Sequence, residues 1–283
     1  MKIGLVLSGG MAKGAYQVGA LRAVARHIPR EDIACVSCAS VGVLNGYAYQ
    51  AGLLDEAEAM WRGLCCDGSR MLISQVLRSS ILQRDIGHLC NDQPPLDSPF
   101  YCALLDLRHK NIVYKDLSTV EPGQLPLYLK ASVAMPVYNR AVSIGHTAYF
   151  DGAMIDNIPV FPLLSYELDY IVCIYFDNAC YQFEDAAFDS RVIKLNVPCD
   201  GVLRHSLVFR EENIAHMIEE GYTRADWLLR TMLGGDHRDT EGVLSAIRQA
   251  NQAARNSPLR VTGDLLVNNL NKLTQRLAKR RVL

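Results

Sequence analysis

Two short apolar runs each give way, through a turn of small residues, to a helical pattern, and this pair of units constrains the fold more than anything else in the chain. Ile3-Gly4-Leu5-Val6-Leu7 has the make-up of a buried strand, and Ala15, Val18, Leu21, Val24 and Ala25 follow at helical spacing. Between them lies Ser8-Gly9-Gly10-Met11-Ala12-Lys13-Gly14. Ile33-Ala34-Cys35-Val36 reads as a second buried strand, Cys38-Ala39-Ser40-Val41-Gly42 as its turn, and Val41 to Ala48 as the helix that leaves it.

Successive N–H groups in a turn like the first point outward at a helix N-terminus, where unsatisfied donors and the helix dipole favour an anion. A phosphate and a transient oxyanion both meet that description. A P-loop places Lys and then Ser or Thr after its second glycine, whereas here Gly14 is followed by Ala15 and Tyr16. A dinucleotide fingerprint needs G-x-G-x-x-G with an acid about twenty residues on. Glu31 and Asp32 lie near that distance, but Met11 and Ala12 break the glycine spacing. Both phosphate readings are therefore set aside.

Ser40 sits at the second bend. In a nucleophile elbow the serine occupies a strained tight turn, and small residues two before and two after it let strand and helix pass closely. Gly42 meets that need and Cys38 does so approximately. A serine at a helix start is more often an N-cap, so on this turn alone both readings stand.

A third segment, Ala148-Tyr149-Phe150-Asp151-Gly152-Ala153 followed by Asp156-Asn157-Ile158-Pro159-Val160, ends an apolar stretch on an acid and a glycine. With it the chain resembles the patatin-like phospholipase family, whose marks are a glycine-rich turn with a following Lys or Arg, a G-x-S-x-G elbow, and a D-G-G or D-G-A segment. The resemblance runs from about Lys2 to Tyr222. It includes Ala131-Ser132-Val133-Ala134-Met135-Pro136, like the family's segment ahead of the catalytic acid, and Ile218-Glu219-Glu220-Gly221-Tyr222 on a late helix.

The resemblance implies a Ser-Asp dyad of Ser40 and Asp151 without a histidine. It implies an oxyanion hole from the N–H groups of Gly9, Gly10 and Met11, with Lys13 close by as a contact to substrate or anion. No cofactor and no metal is implied. A serine hydroxyl is a poor nucleophile until a base accepts its proton, and acyl transfer needs donors aimed at the developing oxyanion. Because an aspartate with an ordinary pKa of about 3.9 is a weak base, Asp151 is expected to be buried beside Ser40, where desolvation raises it. Substrate would form an acyl-Ser40 intermediate that water hydrolyses.

Two positions depart from the family pattern: Met11 stands where a third glycine is usual, and Cys38 where the elbow has its first glycine. If the Met11 position needs positive φ, a bulky residue there is strained; if not, its N–H serves as well as a glycine's. The Cys38 thiol has to fit where strand and helix nearly touch, at a cost of roughly 1–3 kcal/mol unless neighbours have shrunk.

At 283 residues, 49% hydrophobic and 21% charged, the chain can bury a large core as one elaborated α/β domain. Strands alternate with helices, which favours a mainly parallel central sheet covered on both faces, followed by a helical C-terminal region. We expect residues 1–222 to form the acyl hydrolase core and 223–283 a helical extension packed on it. Leu53 to Leu89 reads as helical, with a break near Cys66-Asp67-Gly68-Ser69, and as a wall of the acyl pocket. Tyr101 to Leu107 and Ile112 to Leu117 read as a β-hairpin, and Tyr170 to Phe176 and Val192 to Leu195 as further strands. The chain from His205 onward reads as mostly helical, interrupted around Gly234-Gly235-Asp236.

A net charge of −1 argues against generic nucleic-acid binding. No apolar run approaches the roughly 18 residues of a membrane span, and the apolar start is too short for a secretory signal. The expected place is the cytoplasm; export by a specialised secretion system without a cleavable signal is compatible with this. Nine cysteines then read as reduced thiols. Cys35 and Cys38 are spelled C-x-x-C, but on a strand they face opposite ways about 10 Å apart, too far for a disulfide. Neither Cys65-Cys66 nor the His88/Cys90 pair has a second half for zinc, and His146 reads as a strand or loop polar residue.

The last helical pattern carries Leu266, Leu270, Leu273 and Leu277, with Lys272, Arg276, Lys279, Arg280 and Arg281 and no acid after Asp264. Such a stripe packs on the body or rests on an anionic lipid surface, and packing is the favoured reading. The family resemblance implies a phospholipid or other acyl lipid as the partner, with peripheral membrane contact if the stripe rests on lipid. The sequence is silent on a protein activator or oligomer. Against a lipid acyl hydrolase stand a weakly active lipid-binding or regulatory module and an activator-dependent phospholipase.

Overall fold

The structure is a computed structural model that describes residues 1–64, 71–72, 75–76, 80–91, 95–136, 138–176, 181–197, 208–209, 211–234, 239–255 and 280–282. The strands are β1 (Ile3–Leu7), β2 (Ile33–Ala39), β3 (Met71–Leu72), β4 (Phe100–Asp106), β5 (Asn111–Asp116), β6 (Val142–Ile144), β7 (Thr147–Asp151), β8 (Tyr170–Phe176), β9 (Val192–Val197), β10 (Val208–Phe209) and β11 (Arg280–Val282). The helices are α1 (Gly14–His27), α2 (Val41–Ala51), α3 (Leu54–Gly63), α4 (Ser80–Cys90), α5 (Leu125–Ser132), α6 (Ala186–Asp189), α7 (Glu211–Leu233) and α8 (Thr240–Arg255).

The main sheet runs β11-β5-β4-β2-β1-β8-β9. From β4 to β9 the neighbours are all parallel. Strands covered on both faces have no polar side to alternate with, so β1 and β8 read as continuous apolar runs. Ile3, Leu5 and Leu7 enter the large core with α1, α2 and α3, while Val6 joins Cys35, Ile171 and Cys173 on the opposite face. β5 returns antiparallel on β4, forming the expected hairpin. Its turn is held by Asp106, which accepts N–H bonds from Arg108 (2.8 Å) and His109 (3.0 Å).

Helix α7 lies directly on α1 and runs without a break through position 222. At their crossing a Cβ on Gly19 would strike the Ile218 carbonyl, and one on Gly221 the Tyr16 carbonyl. Past the crossing, His27 Nε2 lies 2.8 Å from Asp226 Oδ1, and Arg26 donates to the Tyr222 hydroxyl at 2.7 Å.

Three segments differ from the helical reading. Met71–Leu72 and Val208–Phe209 pair as an antiparallel two-stranded sheet, in regions whose local pattern is helical. Arg280–Val282 is not the end of a helix but a strand, parallel to Ile112–Tyr114 of β5. Strands of two or three residues are fixed by distant partners, a signal that local periodicity does not contain. The break at Cys66 to Ser69, Cys65 itself and the stripe from Leu266 to Lys279 lie outside the described residues. No helix among the described residues is long and apolar enough to cross a membrane.

Candidate active site

Strand β4 works as a splint. β5 occupies one of its edges from Tyr101 to Asp106. On the other edge, β2 pairs with the first half and β7, coming from the opposite direction, with the second. Ala39 of β2 is opposite Ala103, and Asp151 of β7 is opposite Leu104. The chain leaving β2 and the chain leaving β7 therefore meet at adjacent positions of one strand. Ser40, next after Ala39, is thereby brought beside the Asp151 carboxyl, close enough for its hydroxyl to pull that carboxyl's pKa down.

Local packing fixes both ends. A Cβ on Gly152 would lie 2.5–2.6 Å from the Ala103 and Leu104 backbone, so only glycine can follow Asp151 this close to β4. The Asp151 N–H donates to the Ala134 carbonyl at 2.9 Å, which gives Ala131 to Pro136 a physical role in placing the acid. Ser40 adopts φ 53° and ψ −133° at the N-cap position of α2, yet its side chain makes no capping bond. A non-glycine residue in such a conformation costs of order 1–3 kcal/mol and persists only where its surroundings impose it. Here they do: a Cβ on Gly42 would come within 2.8 Å of the Leu7 and Ser8 carbonyls. One turn along α2, a Cβ on Gly46 would come within 2.6 Å of Cys38 Sγ, so the neighbour of Cys38 has shrunk to admit the thiol.

Asp151 is 2% exposed. Burial pushes its carboxyl up from 3.8 to about 7, against the opposing pull of the Ser40 hydroxyl and the Ala153 N–H. A carboxylate in that range can take a proton from a hydroxyl near neutral pH. Cys38 and Cys102 pair across β2 and β4. Both are buried free thiols held well above their ordinary pKa by desolvation, which leaves them neutral and unreactive.

In the glycine turn, Met11 has φ 53°, so this position does adopt the conformation that glycine favours. The Gly9 N–H donates to Asn157 Oδ1 at 3.0 Å, and Asn157 Nδ2 reaches back to the Gly9 carbonyl at 3.4 Å. This changes the expectation for Gly9, whose donor is engaged by a side chain. The N–H groups of Gly10 and Met11 have no acceptor among the described residues. Lys13 stands with its Nζ 5.9 Å from the centre of the Phe176 ring, the same ring that lies against Gly10. His146 is exposed in the β6–β7 turn, at the opposite end of β7 from Asp151. No cluster of three or more His, Cys, Asp or Glu side chains among the described residues is placed to hold a metal. The sequence does not single out Asn157; its one signal is a polar side chain six residues after the acid, in a loop between Asp156 and Ile158.

A family model for patatin-like phospholipases matches residues 5–164, more than half of the chain, and the chain belongs to that family. Lipid hydrolysis is the class of activity that membership implies. No curated protein is a significant match. Among solved structures the chain is similar to VipD from Legionella pneumophila, with 12% identity over 81% of this chain and 66% of that one, and a TM-score of 0.48. It is also similar to ExoU from the type III secretion system of Pseudomonas aeruginosa, solved in complex with SpcU, with 14% identity over 89% of this chain and 59% of that one, and a TM-score of 0.42. The chain thus spans about three fifths to two thirds of the length of these proteins.

Proposed function

We propose that the chain is a serine acyl hydrolase that cleaves acyl esters of phospholipids or related lipids through Ser40 and Asp151. Ser40 Oγ passes its proton to the Asp151 carboxylate and attacks the ester carbonyl carbon. The carbonyl oxygen becomes an oxyanion that accepts from the Gly10 and Met11 N–H groups. On collapse the ester C–O bond breaks, the leaving alkoxide takes the proton from Asp151, and the acyl chain stays on Ser40. Water then gives a proton to Asp151 and attacks the acyl carbon, which releases the fatty acid and restores the hydroxyl. In this reading residues 1–222 carry the chemistry, the rest of α7 extends the helix that packs on α1, and α8 packs on α7.

The observation that carries the proposal is that the β4 register brings a serine at positive φ beside a buried carboxyl, one whose pKa burial raises to about 7. A second reading, a lipid-binding module of low turnover, draws on Met11: a bulky side chain at φ 53° strains the residue that offers one of the two donors with no acceptor among the described residues. Treating wild type and Ser40→Ala with a fluorophosphonate probe, while following fatty-acid release from mixed phospholipid vesicles, separates the two. Ser40-dependent labelling with release is the expected result. Labelling without release points to another ester or a missing activator, and no labelling of folded protein favours the binding module.

A further inference from the structure

A chain of buried polar side chains stands behind the glycine turn, outside the Ser40–Asp151 pair. Gln17 of α1 and Asn45 of α2 are fully buried, and Trp61 of α3 is 2% exposed. The Trp61 indole N–H donates to Asn45 Oδ1 at 2.8 Å. Asn45 Nδ2 donates to the Gly14 carbonyl and to Gln17 Oε1, both at 2.9 Å. Gln17 Nε2 donates to the Ser8 carbonyl at 2.7 Å. An indole N–H can only donate, so Asn45 has to show it an oxygen and turn its NH2 the other way. Gln17 must then receive with its oxygen and give with its nitrogen. Trp61 thereby fixes the direction of every bond down to the turn.

The two carbonyls at the end of this chain, Ser8 and Gly14, bracket the turn that carries the Gly10 and Met11 donors. Asn45 follows Ser40 by five residues on the same helix. Asn45 therefore links the helix that starts at the nucleophile to one end of the turn directly, at Gly14, and to the other end through Gln17, at Ser8. Apolar residues of similar volume would fill the same space with no polar atoms to satisfy, so packing alone does not call for this set. Its use is geometric, because an oxyanion donor works only within a few tenths of an ångström, and a displacement of about 1 Å costs about 100-fold in rate.

We infer that Asn45 is a positioning residue that sets the distance between the Ser40 hydroxyl and the Gly10 and Met11 N–H groups, with Gln17 and Trp61 holding its amide in register. The inference rests on the proposed reading of Ser40 as nucleophile and of that turn as its oxyanion hole. Asn157, tying Gly9 to the segment that bears Asp151, braces the turn from its other side.

The test compares wild type, Asn45→Leu and Trp61→Phe for kcat and KM on p-nitrophenyl butyrate, for inhibition by a trifluoromethyl ketone of matching chain length, and for the pH profile. Asn45→Leu should lower kcat about 30- to 100-fold with KM within about threefold, and ketone affinity should fall in parallel. The acid limb should stay near pH 7, since Asp151 keeps its surroundings. Trp61→Phe, which removes the N–H together with the outer part of the indole that packs on Gly14, should move the same quantities by about 3- to 10-fold. Wild-type kcat in both variants would overturn the inference, and so would a loss of kcat with ketone affinity unchanged. Where Asn45→Leu does not fold, Trp61→Phe and Gln17→Leu decide by the same split. Absence of Ser40-dependent turnover in wild type would remove the proposed function and this role together; turnover that is indifferent to Asn45 and Trp61 removes this role alone.

Discussion

Met11 and Ser40 share a φ of 53°, each in the first strand-turn-helix units of the chain, yet the conformation means different things in the two places. At Ser40 it is imposed from all sides. Gly42 lies against the end of β1, Gly46 against Cys38, and the hydroxyl makes no capping bond to α2 although it stands at the cap position beside Asp151. If Ser40 is the nucleophile we propose, only a side chain can supply the reacting atom, so glycine is not an alternative there. At Met11 the group on offer is a backbone N–H, which glycine would present equally well and without strain. On the proposed function, strain at the elbow is tied to chemistry, whereas strain in the turn is a cost with no reacting atom to show for it.

Ser40→Ala keeps the backbone and removes the atom, so it should cost about 10,000-fold or more in kcat with the fold intact. Asp151→Asn should cost about 1000-fold or more. It should also separate function from stability. A carboxyl raised from 3.8 to about 7 favours the folded state fully below pH 3.8, and that contribution is lost as pH rises to about 7. Thermal melts should therefore place Asp151→Asn above wild type at pH 8 and close to it at pH 4. The elbow's packing breaks at Gly46: Gly46→Ala should destabilise by about 1–3 kcal/mol in urea unfolding, and Cys38→Gly added to it should restore most of that. The smallest effect belongs to the turn. Met11→Gly exchanges a strain of about 1–2 kcal/mol for the extra unfolded-state entropy of glycine, a net gain of up to about 1 kcal/mol. A rise in turnover by more than a few fold would mean that the Met11 strain also deforms the hole; an unchanged rate confines it to stability.

Much of this was legible in the residues. β1, β2 and β8 are apolar runs because both sheet faces are covered, and the hairpin of β4 and β5 announces itself by composition. Ser40 and Asp151 could be singled out, but their meeting depends on the register of β4, where Ala103 and Leu104 take β2 and β7 in turn. No local pattern encodes that. The sequence posed the question of the sign of φ at Met11 and left it unanswered, since a turn of this length closes in more than one way. Cys38 was readable as a tight fit, and its relief was four residues past Gly42, at Gly46, visible only once strand and helix are packed. Asn45, Gln17 and Trp61 were hidden among helical core positions, where a polar residue declares no partner. The pairings of β3 with β10 and of β5 with β11 bring together residues more than a hundred apart in sequence, beyond the reach of periodicity.

The central claim is that Ser40 is activated by a buried aspartate titrating near neutrality. The direct measurement is the rate of fluorophosphonate labelling of wild type and Ser40→Ala between pH 5 and 9. Labelling of wild type alone, rising through a single ionisation near pH 7 that disappears in Asp151→Asn, is the predicted result. Labelling that survives in Ser40→Ala, or a Ser40 rate that is flat across this range in wild type, would contradict the account.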